Sequence, residues 1–321
     1  MENIDLKDRK ILYELDLNAR QSDAAIGRKV DLSKDVVNRR IRKLIKKGVI
    51  KHFYTIVDAT RLGYISGRFI IKFQHDTPEK EIEMVNLLVS KPYTWWIGRI
   101  EGQRDLCFTI WAKDTYDLFD IIREIQQEFK WLIKDFVPGI YAKFYQYRRA
   151  YLLNKQIDDS KPVLTCFREV ADFDQTDINL LKIIAADARI PTTEIASRLH
   201  VTSDTVRMRL KKLIDKKIIQ GFRTALDLRN LGYFWYKIQL DLEDASKISN
   251  IIHYAHSHPN IIYAYEVIGG YDLELELEVE NYEQFKKILN EIRDRFSKEI
   301  RYCDHFLFSE EFKIIYMPMT V

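Results

Sequence analysis

Between Lys34 and Lys51 the chain places eight Lys or Arg against a single Asp, a net +7; between Asp204 and Arg223 it places seven against two, a net +5. The whole chain is only +3, so everything outside these two stretches carries −9. Two cationic stretches on an acidic body suit polyanion contacts at two places. Within the first, Val37, Ile41 and Leu44 recur four and three residues apart, one thin apolar stripe on a helix. Turning that stripe inward leaves Lys34, Asp35, Asn38, Arg39 and Arg42 outside. The second stretch repeats the pattern, with Val206, Leu210 and Leu213 inside and Ser203, Asp204, Arg207, Met208 and Lys211 outside. In a DNA major groove Arg can read guanine and Asn adenine through paired hydrogen bonds, each worth about 1–3 kcal/mol of discrimination. Lys43, Lys46, Lys47 and Lys51, with Lys212 in the second stretch, suit phosphate oxygens, which fix register without reading sequence. The outer faces differ: Asn38 and Arg39 stand where the second stretch has Arg207 and Met208. An operator read by both is therefore expected to be an imperfect palindrome. Arg40 and Arg209 fall at the edge of the stripe, where structural and DNA-contacting roles are both open.

The elements that must hold these helices occur twice, in one order. Shifted by 169 residues, Asp5–Tyr64 lies on Asp174–Tyr233 without a gap and with about a third of positions identical. Arg20 meets Arg189, Arg40 meets Arg209, Leu44 meets Leu213, and Leu-Gly-Tyr meets Leu-Gly-Tyr. Two residues then drop out, and at an offset of 167 Pro92 meets Pro259, Gly102 meets Gly269 and Asp105 meets Asp272. Such a period marks a duplicated two-domain unit, since solenoid repeats run to roughly 20–50 residues. Each copy opens with a helix (Leu6–Leu17; Thr176–Ala186) and a short second one (Asp23–Val30; Thr192–Leu199). A tight turn follows at Asp31 or His200, residue types that tolerate a left-handed backbone. The basic helix comes next, capped by Ser33, or by Thr202 and Ser203. The segments "GVIKHFYTIVD" and "IIQGFRTALD" are expected to form the strand pair of a wing.

The periodicity then changes. Strands are expected over 67–73, 93–100, 105–111 and 133–147, with helices near 79–89 and 115–129. The second copy matches them with strands near 234–242, 261–268, 272–279 and 300–316 and helices near 245–256 and 281–296. The order βαββαβ gives an antiparallel sheet with both helices on one face. The fold class is thus α+β: two copies of a winged helix-turn-helix domain, each followed by a ferredoxin-like sandwich. The boundaries fall at 1–60, 61–153, a polar linker over 154–171, 172–229 and 230–321.

"DRKILYELDLNARQSDAAIGRKVDLSKDVVNRRIRKLIKKGVI", followed by Leu-Gly-Tyr and a Gly-x-x-Asp hairpin, resembles the Lrp/AsnC (feast/famine) transcriptional regulators, twice and over nearly the whole chain. The resemblance implies double-stranded DNA as partner and a RAM-type sandwich for assembly and effector binding. It also implies pairing of the two sandwiches, here within one chain, with further homo-oligomerisation left open. An amino acid or other small effector is implied near the Gly-x-x-Asp turns, at Gly102 and Asp105 and at Gly269 and Asp272. The chain departs from the family in carrying Asp31 and His200 at turns where glycine is usual. Gly48, which ends the first basic helix, is matched by Lys217; a left-handed cap there costs about 1 kcal/mol relative to glycine. The second head is then expected to be the weaker or more mobile. The hairpins read "GQRD" and "GGYD", so equivalent effector pockets are not implied.

Other signals narrow the field. A chain that is 46% hydrophobic and 31% charged is globular. The start has no basic-then-apolar leader, and no apolar run approaches the ~18 residues of a membrane span. Cys107, Cys166 and Cys303 are odd in number and far apart, which suggests neither a disulfide framework nor zinc. A reduced cytoplasmic protein is expected, with no membrane partner, cofactor or metal. His253, His256 and His258 have no acidic or Cys partner spaced with them and are read as a helix end. Gly269–Gly270 is a turn and not a dinucleotide loop, and "YAKFYQYRRAYLL" (141–153), whose interleaved aromatic and basic residues also suit a nucleic-acid contact, is read as the last strand of the first sandwich running into the linker. In "DLELELEVE" (272–280), Asp272, Glu274, Glu276 and Glu278 share one face; the first copy has Asp105, Cys107, Thr109 and Trp111 there. Arg68 and Lys72 add positive charge to the first copy, and Arg99 stands where the second has Glu266. The row is either a solvated sheet face or a charge-complementary seam favouring pairing within one chain.

The function expected is a sequence-specific DNA-binding regulator with two non-identical heads and no catalytic residues. The competing classes are an architectural DNA-binding protein with little sequence preference, and an enzyme. Siroheme decarboxylases share this general architecture; His52 beside Lys51 is the pair that suggests it, but His52 is matched by Gly221.

Overall fold

The computed structural model describes residues 4–75, 77–153, 163–167 and 169–320. The first head consists of α1 (Leu6–Leu17), α2 (Asp23–Val30), α3 (Lys34–Lys46) and one strand, β1 (Ile50–Val57). The first sandwich follows: β2 (Ile65–Phe73), α4 (Pro78–Ser90), β3 (Thr94–Glu101), β4 (Leu106–Ala112), α5 (Thr115–Glu128) and β5 (Ile133–Gln146). A short strand, β6 (Val163–Thr165), precedes the second head: α6 (Gln175–Ala186), α7 (Thr192–Leu199), α8 (Ser203–Asp215) and β7 (Ile219–Leu226). After the one-turn α9 (Leu228–Leu231), the second sandwich contains β8 (Phe234–Leu242), α10 (Ile248–Ser257), β9 (Ile261–Ile268), β10 (Leu273–Val279), α11 (Tyr282–Arg295) and β11 (Ile300–Ile314). Most of the polar join, 154–162, lies outside the described residues.

Local chemistry explains the head boundaries. Reciprocal bonds between Asp5 and Asp8 open α1, and between Asp174 and Asp177 open α6, each satisfying donors at a helix start. Ser33 accepts from the Val36 N–H to start α3, and Thr202 from the Thr205 N–H to start α8. The turns before the basic helices pass through Asp31 and His200, both left-handed at φ 54°.

The two wing segments do pair, and the wing they form is shared between the heads. Each head contributes a single strand, and β1 pairs antiparallel with β7 of the other head, from Ile50↔Leu226 to Val57↔Ile219. The reason is burial: most of each strand is buried, so its backbone groups need a partner that water cannot supply, and the other copy offers one. The clamp extends beyond the strands. Ala19 N–H donates to Phe222 O at 2.8 Å and Ala188 N–H to Phe53 O at 2.9 Å. The matched arginines cross over: Arg20 donates to the carbonyls of Ala188 (2.6 Å) and Ile190 (3.1 Å), and Arg189 to those of Ala19 (2.7 Å) and Gln21 (3.3 Å).

Each sandwich has the ferredoxin-like strand order, β5-β2-β4-β3 in the first and β9-β10-β8-β11 in the second. The sheets join edge to edge through β3–β11 and β5–β9, closing eight strands into a ring that leaves few free edges. The helices pack outside, over cores built on Phe69, Met84 and Phe108 in one copy and Ile251, Leu275 and Phe285 in the other. The inner faces of the two sheets meet across Trp95, Trp96, Trp111, Tyr141 and Tyr265, together with buried charges.

Candidate nucleic-acid interface and the joint behind it

On α3 the stripe Val37, Ile41 and Leu44 is buried, and Lys34, Arg39, Arg42, Lys43 and Lys46 are exposed; Lys47 is half-buried. Asn38 is half-buried, and its amide donates to Asp23 at 2.8 Å. Asp23 also holds Arg189 of the other head at 2.6 Å, so one N–H of the Asn38 amide is tied to the clamp between heads. On α8 Met208 is 65% exposed, and Arg207, equally open, lies 3.0 Å from Asp204. Lys211 is exposed, and Ser203 is the half-buried first residue of the helix. Lys212 donates to Asp177 at 2.9 Å, whereas its counterpart Lys43 stands clear in solvent. The two outer faces therefore differ in the side chains they present and in how those side chains are paired.

Arg40 and Arg209 resolve as structural residues. Arg40 reaches Asp5 at 2.8 Å and Asp8 at 2.7 Å, and Arg209 reaches Asp174 and Asp177, each at 2.8 Å, bolting each basic helix to the first helix of its head. The left-handed cap expected at the end of the basic helix is present in both heads, at Gly48 (φ 70°) and at Lys217 (φ 58°).

Behind the heads lies a joint that the sequence only half disclosed. Asp16 of α1, Arg149 just past β5, Arg223 of β7 and Glu278 of β10 are all buried. Arg149 reaches Asp16 at 2.7 Å and Glu278 at 2.8 Å, and Arg223 reaches Asp16 at 2.6 Å. One cluster of two cations and two anions thus touches both heads and both sandwiches. Burial opposes the charge on Arg149, but Glu278 and Asp16 overcome it and hold the guanidinium well above its ordinary pKa. At the matched positions of the other half stand Ala185, Tyr316, Tyr54 and Trp111. There the joint is aromatic, with Tyr54 against Tyr316 (5.6 Å) and Trp95 against both Tyr316 (5.0 Å) and Trp111 (5.2 Å). Asp16 and Arg149 went unremarked in the sequence; an Asp at an otherwise apolar position of α1 was the available signal.

The glutamate row is not solvated. Glu274, Glu276 and Glu278 are at most 2% exposed. Arg68 of the first sheet lies 3.3 Å from Glu274 of the second, and Lys237, which occupies the position equivalent to Arg68, reaches Glu274 at 2.8 Å and Glu276 at 3.0 Å. Burial would raise the Glu274 carboxyl; Arg68 and Lys237 overcome it and hold the group below the usual carboxylate range. Glu276 is raised by burial, which Lys237 opposes without reversing. Two other expected contributors lie outside this seam: Lys72 is tied to Asp105, and Arg99 to Glu81 and Glu310.

At the hairpins, Asp105 accepts the Phe73 N–H at 2.6 Å and Asp272 the Leu242 N–H at 2.8 Å, so each aspartate tethers its turn to the neighbouring strand. Gly102 (φ 122°) faces open space, and Gly269 (φ 92°) packs beside the Pro138 carbonyl. A cavity of about 430 Å³ lies elsewhere, between the second sandwich and the second head, with Lys51 and Tyr54 of β1 in its wall. Among the described residues no group of His, Cys, Asp or Glu is arranged to hold a metal ion, and no helix is long and apolar enough to cross a membrane.

Residues 4–51 match the winged helix-turn-helix DNA-binding family, and residues 173–220 match the AsnC-type helix-turn-helix domain. The HTH-type transcriptional regulator FL11 of Pyrococcus horikoshii is 28% identical over 117 residues, 36% of this chain and 78% of that protein. An uncharacterised HTH-type transcriptional regulator of Pyrococcus abyssi is 30% identical over 116 residues, 36% of this chain and 79% of that protein. Among solved structures, the siroheme decarboxylase NirDL superposes with a TM-score of 0.63 at 15% identity, covering 97% of this chain and 94% of that one. That likeness is one of fold.

Proposed function

Because the chain belongs to the Lrp/AsnC family of DNA-binding transcriptional regulators, as a tandem duplication, we propose that one polypeptide does what two identical subunits otherwise do, and does it asymmetrically. The two basic helices enter successive major grooves of one duplex, and each places the first turns of its outer face against base edges. Arg39 and Arg42 read one half-site; Arg207 and Met208 read the other, with an apolar contact where the first head has a cation. Lys43 and Lys46 hold phosphates and make binding fall steeply with salt. The observation carrying this reading is that the unlike helices are clamped together by β1–β7 and the crossed Arg20 and Arg189. A small effector such as an amino acid, bound near the Gly102/Asp105 or Gly269/Asp272 hairpins, would act on the heads through the four-charge joint, because β10 carries both Asp272's hairpin and Glu278.

Selection of binding sites from random DNA tests the unlike heads. The expected outcome is an imperfect palindrome; a perfect palindrome contradicts it, and the absence of any preference indicates an architectural protein instead. The whole-chain likeness to a siroheme decarboxylase supports a second reading, an enzyme on the same architecture. Titration with an iron porphyrin, followed by absorbance, tests it: a stoichiometric spectral change supports the enzyme, and an unchanged spectrum counts against it.

A further inference from the structure

The two copies differ in what fills the cleft between head and sandwich. In the first copy the chain fills it with its own backbone. Strand β6 pairs with the end of β5, Thr165 opposite Phe144 and Val163 opposite Gln146. Asp58, only 1% exposed, accepts the consecutive N–H groups of Cys166 (3.1 Å) and Phe167 (3.3 Å). Arg61 covers the Phe167 ring and donates to the Glu169 carbonyl at 2.7 Å.

In the second copy no segment among the described residues fills the same cleft. The positions matching Phe144–Gln146 are Glu311–Lys313 on β11. The pairing of β11 with β8 stops at Phe308↔Trp235, and no described strand lies along that edge beyond it. Asp227, the counterpart of Asp58, accepts the N–H of Asn230 in its own short helix at 2.9 Å, and no incoming backbone reaches it among the described residues. The space is the cavity of about 430 Å³, walled by Asp227, Leu228, Tyr233, Phe308, Ser309 and Glu311. The Ser309 hydroxyl is shielded from solvent and has no hydrogen-bond partner in the described structure.

We propose that this cleft is a strand-docking site for an extended segment of a partner polypeptide. The segment adds to the free edge of β11 beyond Phe308 and presents two consecutive N–H groups to Asp227, as residues 163–167 do at Asp58. Main-chain pairing supplies the affinity, so the site tolerates varied sequences that are extended and uninterrupted by proline. The walls carry both signs, Lys51 and Arg229 against Glu310 and Glu311, so the incoming strand needs no strong net charge. The inference stands apart from the DNA reading, since it uses neither basic helix.

The chain's own segment supplies the probe. A labelled synthetic peptide of residues 161–169 is titrated into the full-length protein and followed by fluorescence anisotropy. Saturable one-to-one binding is expected, with amide exchange slowed over 309–313. Asp227→Asn, which still caps α9, should weaken binding about tenfold by removing a charge-assisted acceptor. The peptide carrying Phe167→Pro, which lacks one of the two N–H groups, should lose binding to the unaltered protein. The proposal is overturned if no saturable binding is found up to about 1 mM peptide. It is equally overturned if binding survives both changes, or if the cleft is filled instead by an iron porphyrin or by a second copy of the chain, seen as self-association that Asp227→Asn abolishes.

Discussion

The inner faces of the two sheets are built from the same ancestral strands; leaving aside Glu278, which Arg149 pairs at the joint, one brings Arg68 and no acid to the seam, while the other brings Lys237, Glu274 and Glu276. Cys107 and Thr109 stand in the first copy where the second has the two glutamates. Pairing two first copies would bury two arginines without a carboxylate, and pairing two second copies would bury four glutamates against two lysines. Only the unlike pair is neutral. An unpaired buried charge is strongly unfavourable, so this arrangement selects the intrachain partner by excluding the alternatives. The joints behind the heads teach the same lesson. One is ionic, with Asp16, Arg149, Arg223 and Glu278; its mirror position is aromatic, with Tyr54, Tyr316 and Trp111. Each residue set makes sense only against the other copy.

The comparison breaks most completely if the seam is inverted. Glu274→Lys with Glu276→Lys would bury four cations between the sheets. The closed ring should fail to form, read as loss of cooperative unfolding and a larger hydrodynamic radius; an unchanged size and unfolding profile would remove the seam from the account. Asp16→Ala makes the ionic joint resemble its mirror, where the matched residue is Ala185, but leaves two buried arginines with Glu278 alone. We expect a loss of about 3–5 kcal/mol in denaturant unfolding. The smallest effect belongs to the helix ends. Lys217 is left-handed where the first head has Gly48, so Lys217→Gly should stabilise the second head by about 1 kcal/mol, and Gly48→Lys should cost the first a similar amount. Amide exchange in α6–α8 compared with α1–α3 reads both.

Short-range signals carried most of the architecture. The helices of both heads and the alternation of both sandwiches follow from caps, turns and periodicity acting within a few residues, and the structure places them where those signals put them. What was not legible depends on which edge meets which. The two wing strands pair across copies with partners 162–176 residues apart, a match that the repeat brings together and no local pattern shows. The glutamate row alternates as a solvated strand would; only closure of the ring makes that face interior. Lys237 escaped notice because its importance lies in being equivalent to Arg68 across the ring. Asn38 carries a reading-head residue type at a reading-head position, but Asp23 and Arg189 turn its amide toward the other head.

The central claim is that two unlike cationic helices on one self-paired body engage a single duplex. Its most direct test is the affinity for a selected operator of the wild type, Arg39→Ala, Arg207→Ala and the double variant, measured across a range of salt. The account predicts that each single change weakens binding by about 1–3 kcal/mol, unequally, that the preference relaxes only in the half-site of the altered head, and that the double variant loses roughly the sum. Unchanged affinity in the double variant would contradict it.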